Sequence, residues 1–80
     1  MVQLDEEIFK LLEDGSNIQY EQPQRAKEIF FEAQSRAQAL ENHKLNIVAG
    51  FNLGTVLINN GEPRNGVEQL LKASEIDQFQ

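Results

Sequence analysis

The chain has 80 residues, 40% hydrophobic and 25% charged, with thirteen acidic against seven basic side chains and a net charge of -6. Its size allows one small domain and its composition excludes wholesale disorder. The acidic balance argues against duplex nucleic acid or an anionic membrane surface as partner, since both require a basic footprint. Without cysteine there is no disulfide framework, no thiolate zinc site and no thiol nucleophile. Such a chain is expected to be marginally stable and to lean on a partner or on self-association. At the N-terminus, Asp5, Glu6 and Glu7 put acid where a signal peptide needs base, and no apolar run approaches the ~20 residues of a membrane span. A cytoplasmic location is the expectation.

Ile8, Phe9, Leu11 and Leu12 mark a first amphipathic helix, starting near Leu4. Asp5 is its expected N-cap, with Leu4 and Phe9 spaced as a hydrophobic staple. Asp14-Gly15-Ser16-Asn17 reads in isolation as a turn. The repeat pattern described below predicts instead that the helix runs through Gly15, where a missing side chain permits close helix approach at roughly 1 kcal/mol of intrinsic cost. Pro23 then opens a second helix. Its stripe of Ala26, Phe30, Ala33, Ala37 and Leu40 follows a 4-3-4-3 spacing, widened by Ile29 and Phe31. Gln24, Arg25, Glu28, Glu32 and Arg36 belong to its wet side, and it is expected to end near Asn42 with His43 in the connection that follows.

Leu45, Val48, Ala49, Leu53, Val56 and Leu57 mark a third helix, with Gly61 as the left-handed residue that closes it. Pro63 opens a fourth, in which Val67, Leu70, Leu71 and Ala73 recur at helical spacing. Nothing alternates with period two, so no strand is expected.

The two halves correspond. A shift of 40 pairs Pro23 with Pro63, Ala26 with Gly66, Glu28 with Glu68, Phe30 with Leu70, Phe31 with Leu71 and Ala33 with Ala73. Upstream a shift of 39 pairs Leu12 with Phe51, Gly15 with Gly54, Ser16 with Thr55 and Ile18 with Leu57. The one-residue change belongs in the turn between the helices, where insertions cost little. Two helix-turn-helix units are therefore predicted, about 4–42 and 43–77, making one all-α domain of about four antiparallel helices arranged as a short solenoid.

In the second unit Asn52-Leu53-Gly54, Leu57, Gly61, Gly66, Leu70, Ala73 and Ile76-Asp77 resemble the tetratricopeptide repeat. Leu53-Gly54 match that family's Leu-Gly pair, and Leu57 takes its usual aromatic position. Gly66, Leu70 and Ala73 take the small, large and small positions of its second helix. Gly66 stands for the usual alanine, and Gln78 occupies the place of the family's proline. Ala26, Phe30 and Ala33 fit the second-helix pattern in the first unit, where Asp14 replaces the expected leucine. The period of about 40 exceeds the usual 34, which implies a longer second helix.

Catalytic and metal-binding patterns are missing from the sequence. His43 stands alone, with no His-x-x-x-His, Glu-x-x-His or carboxylate-rich loop beside it. Asp5, Glu6 and Glu7 are better explained as complements to the positive end of a helix dipole than as a cation cluster. Gly50 and Gly54 have the spacing of a membrane dimer motif, yet Asn46, Asn52 and Asn59 interrupt any apolar span, so close helix packing accounts for them. No enzyme activity and no cofactor are expected.

The resemblance implies a concave face formed by the first helix of each unit. It assigns Phe9, Leu12, Ser16, Gln19 and Tyr20 to that face from one unit, and Val48, Phe51, Asn52, Thr55, Ile58 and Asn59 from the other. Some members of the family grip a peptide's terminal carboxylate with basic residues and asparagines. Asn52 resembles one such asparagine, but the basic partners are not evident. A partly apolar groove suits a peptide or protein with apolar anchors, although Leu12 and Phe51 could equally be core. The leading expectation is a protein-interaction module. The alternative is a structural or adaptor subunit that forms a homodimer through exposed repeat ends.

Overall fold

The computed structural model describes the backbone of residues 2–78 and the side chains of residues 4–76. Four helices follow one another: α1 (Val2–Ile18), α2 (Pro23–Ala39), α3 (His43–Asn59) and α4 (Pro63–Gln78), with no strand among the described residues. The connections span only residues 19–22, 40–42 and 60–62, so each helix must turn back along the previous one. α1 packs on α2, α2 on α3 and α3 on α4; α1 also touches α3, whereas α2 and α4 do not approach one another closely. α1 is continuous through Gly15, where a Cβ would lie 2.5 Å from the Phe30 ring. The helix bond pattern persists and the missing side chain makes room for the phenyl group.

Phe30 is fully buried and sits among Ile8, Leu12, Leu45, Leu53, Val56 and Leu57. Burying such a ring contributes roughly 1.5–3 kcal/mol. Around it α2 presents almost only alanine: Ala26, Ala33 and Ala37 are buried, and their small size lets α2 lie close to both α1 and α3. The α3–α4 contact is made differently. A Cβ at Gly54 would meet the Gly66 carbonyl oxygen at 2.8 Å, and one at Gly66 would meet the Gly54 carbonyl oxygen at 2.6 Å. Here two backbones touch, so neither position has room for a methyl group. Ala73 lies against Gly50 in the same seam.

The same C-terminal motif ends α2 and α3. The N–H of Asn42 donates to the Ala37 carbonyl (2.9 Å) and that of Glu41 to Gln38 (3.0 Å). Likewise Glu62 donates to Leu57 (2.8 Å) and Gly61 to Ile58 (3.3 Å). This double bonding requires one left-handed residue. Gly61 supplies it as expected, with φ +85°, but at the earlier turn the residue is Glu41, with φ +54°. α2 therefore stops at Ala39, short of the expected Asn42. Asn42 instead caps α3: its side-chain oxygen accepts from the Leu45 N–H at 3.1 Å. His43 consequently opens α3 rather than lying in the connection.

Three other expectations are corrected. Asp5 is not an N-cap, because α1 has already started at Val2; its carboxylate accepts a hydrogen bond from the Asn42 amide at 3.2 Å, joining α1 to the α2–α3 turn. Phe31, Val67 and Leu71 do not join the buried stripes of their helices and stand exposed. Leu40, at the C-cap of α2, is also partly exposed. The wet side expected for α2, from Gln24 to Arg36, is exposed throughout.

Candidate binding surface

Helix periodicity arranges the exposed residues of α3 in one row: Lys44, Val48, Phe51, Thr55 and Ile58 recur at steps of four and three. The opposite side of α3, with Leu45, Ala49, Leu53, Val56 and Leu57, is buried. The visible row is thus apolar at Val48, Phe51 and Ile58 because the helix has more apolar residues than its core-facing side can use. Thr55 donates its hydroxyl to the Phe51 carbonyl at 2.9 Å and so adds no free donor. Asn52 is half-buried at the edge of the row and Asn59 is exposed at its end.

The candidates from α1 separate. Phe9 and Ser16 lie on its exposed side, and Tyr20 projects from the turn after it. Gln19 is half-buried and donates to the Ser16 carbonyl at 3.3 Å. Leu12 is not a surface residue: it is 7% exposed and belongs to the core. Its matched residue, Phe51, is 40% exposed. Leu12 is enclosed in the cluster formed with α2 and α3, whereas Phe51 stays open to solvent.

A second hollow, absent from the sequence expectation, lies between α2 and α4. It measures about 450 Å³, with Leu53 and Leu57 of α3 at its base and Phe31, Lys27, Asn65 and Gln69 around it. Since α2 and α4 stand apart, the side chains of α3 beneath them are partly uncovered. Two polar bridges span the same gap. Lys27 pairs with Glu62 at 3.0 Å, and the Gln34 amide donates to Gln69 at 2.9 Å. The Lys27 ammonium holds the Glu62 carboxyl below its usual pKa by hydrogen bonding, opposed in part by desolvation and aided by Asn65. The only sequence signal for this hollow was Phe31, out of phase with the buried stripe of α2.

A larger open depression of about 730 Å³ lies where Asp5, Glu41, Asn42, His43, Lys44 and Ile47 meet. Among the described residues no group of three or more histidine, aspartate or glutamate side chains could hold a metal ion, and no helix is long and apolar enough to cross a membrane. Comparison with protein-family models, curated proteins and solved structures found no match.

Proposed function

We propose that this chain is a noncatalytic protein-interaction module, similar to tetratricopeptide repeats, that receives a peptide or protein segment along the side formed by α1 and α3. The observation that carries this reading is the exposed row Val48, Phe51 and Ile58, with Phe9 and Tyr20 exposed on the neighbouring hairpin. The helix packing supports it. α1 touches α3 while α2 and α4 stand apart, which supports reading the α1/α3 side as the inner side of the stack. Anchoring side chains of a bound segment would displace water from Val48 and Phe51, while Asn52 and Asn59 would offer hydrogen bonds at the rim.

The test is selection of peptides from a displayed library against the full chain, followed by titration of a selected peptide into variants. Replacing Tyr20 and Val48 together by serine should weaken binding by about tenfold or more, with helix content by circular dichroism unchanged. Binding that is indifferent to both replacements rejects this face.

A further inference from the structure

The two ends of the helical stack are built from opposite materials. At the N-terminal end, Glu6, Glu7, Lys10, Asp14 and Asn17 of α1 match Leu45, Asn46, Ala49, Leu53 and Val56 of α3, which are all buried against the preceding hairpin. In α1 no hairpin precedes them among the described residues, and the positions are polar. Glu7 pairs with Arg36 at 3.2 Å and Lys10 with Asp14 at 3.2 Å, so three of the four charges at this end are paired within the chain. At the other end the positions that receive the next hairpin stay apolar. Leu12, Lys27 and Phe30 of the first hairpin are wholly or partly buried there, and their matches in the second are Phe51, Val67 and Leu70. Val67 is 47% exposed, with Leu71 beside it at 59%.

We propose that this apolar end binds a second copy of the chain, α4 lying antiparallel to its counterpart about a two-fold axis near Leu70. Two features favour this occupant. First, head-to-tail stacking would set Phe51 and Val67 against the charged N-terminal end, burying Glu6, Glu7 and Lys10 against apolar side chains that offer them no hydrogen bond or counter-charge. A self-complementary, closed pair avoids that conflict. Second, the charges of α4 match their own reversal. Arg64 lies in its first turn and Glu75 in its last, the ends that the helix dipole disfavours for each sign. An antiparallel copy brings Arg64 to the partner's Glu75 and Glu68 to the partner's Lys72, because both pairs are centred on Leu70 to within half a residue. A parallel copy would oppose like charges. This surface is centred on α4 and shares only Phe51 with the proposed peptide-binding side, so Tyr20 and Val48 serve to tell the two readings apart.

The experiment is sedimentation equilibrium of the full chain from about 10 µM to about 1 mM, a range that detects dissociation constants of that order. A concentration-dependent dimer is expected. Val67→Glu with Leu71→Glu should abolish it over this range. Arg64→Glu alone should weaken it by about tenfold, and adding Glu75→Arg should restore it. All four positions are exposed or partly exposed, so circular dichroism should show intact helices. The Tyr20 and Val48 variant should dimerise normally, which separates this result from the fate of the peptide reading. A wild-type monomer throughout would give this end to a foreign chain and overturn the proposal. So would a dimer indifferent to Val67→Glu, or one that the double charge exchange fails to restore.

Discussion

The first and second hairpins share their spacing but not their burial. Leu12 and Phe30 lie inside the molecule, whereas Phe51 and Leu70, at the matched positions, are partly open to solvent. The residue type changes little; what changes is whether another of the described hairpins lies on top. An apolar residue at a repeat position is therefore core in one unit and surface in the next, depending only on its place in the stack.

The largest effect that tests this contrast comes from the matched pair Leu12 and Phe51. Leu12→Ala should destabilise the dilute chain by about 3 kcal/mol through lost burial and an unfilled cavity. Phe51→Ala, at a position still partly washed by water, should cost only about 1–2 kcal/mol despite the larger side chain removed. Urea unfolding of both variants at low concentration decides the matter, and equal losses would show that Phe51 is core after all.

A smaller effect separates the two turns. Glu41 and Gly61 hold the same left-handed place, yet only one is glycine. Glu41→Gly should stabilise by up to about 1 kcal/mol by relieving the clash of Cβ with the backbone, and Gly61→Ala should destabilise by a similar amount. Nothing lies within 4 Å of a Cβ at Gly61, so the second effect would be conformational rather than steric crowding by neighbours. Thermal melts that move in the same direction for both variants would contradict this assignment.

The smallest expected effect is electrostatic. Glu62 precedes Pro63 and pairs with Lys27, whereas the matched residue before Pro23 is the uncharged Gln22. The Glu62 pKa is lower in the folded chain than its ordinary value of 4.5. Its contribution is therefore present above that value and lost as pH falls through the lower, folded one. Glu62→Gln should leave a shallower decline of melting temperature in the acid range, and Lys27→Met should do the same. Gln22→Glu, lacking such a partner, should add no comparable slope. An unchanged acid profile in both variants would remove the pair from the stability of the fold.

Much of the helical scaffold was legible beforehand because it follows from local chemistry. The prolines mark the starts of α2 and α4, and Gly61 marks the end of α3, because each residue restricts or frees its own backbone torsions. The match of Gly15 with Gly54 correctly overruled a turn-like tetrapeptide, since both glycines give way to a large residue of the following helix, Phe30 or Leu70. Asp5 and Asn42 were harder to place. Asn42 could equally extend α2 or cap α3, and the choice was made by the left-handed torsion at Glu41, which composition does not announce. Among the surface candidates, Phe9, Tyr20, Val48 and Phe51 remained exposed, while Leu12 did not. Hydrophobic spacing finds the sides of a helix but not which side a distant helix will cover. The hollow over Leu53 and Leu57 was invisible for a related reason: it exists because α2 and α4 do not meet, a feature of how the helices stack rather than of any motif.

The placement of proline and glycine and the helical periodicity determined an all-α chain of four helices and the turns before Pro23 and Pro63, but not the turn around Asn42. Those features depend on torsional preference and on periodicity along a single helix, which neighbouring residues are enough to set. Tertiary structure decided the rest. It sent Leu12 inward and left Phe51 and Val67 outward, joined Asp5 to Asn42 and Lys27 to Glu62, and made one end of the stack charged and the other apolar. The physical reason is that burial and pairing belong to contacts between helices, and those contacts depend on how the helices stack.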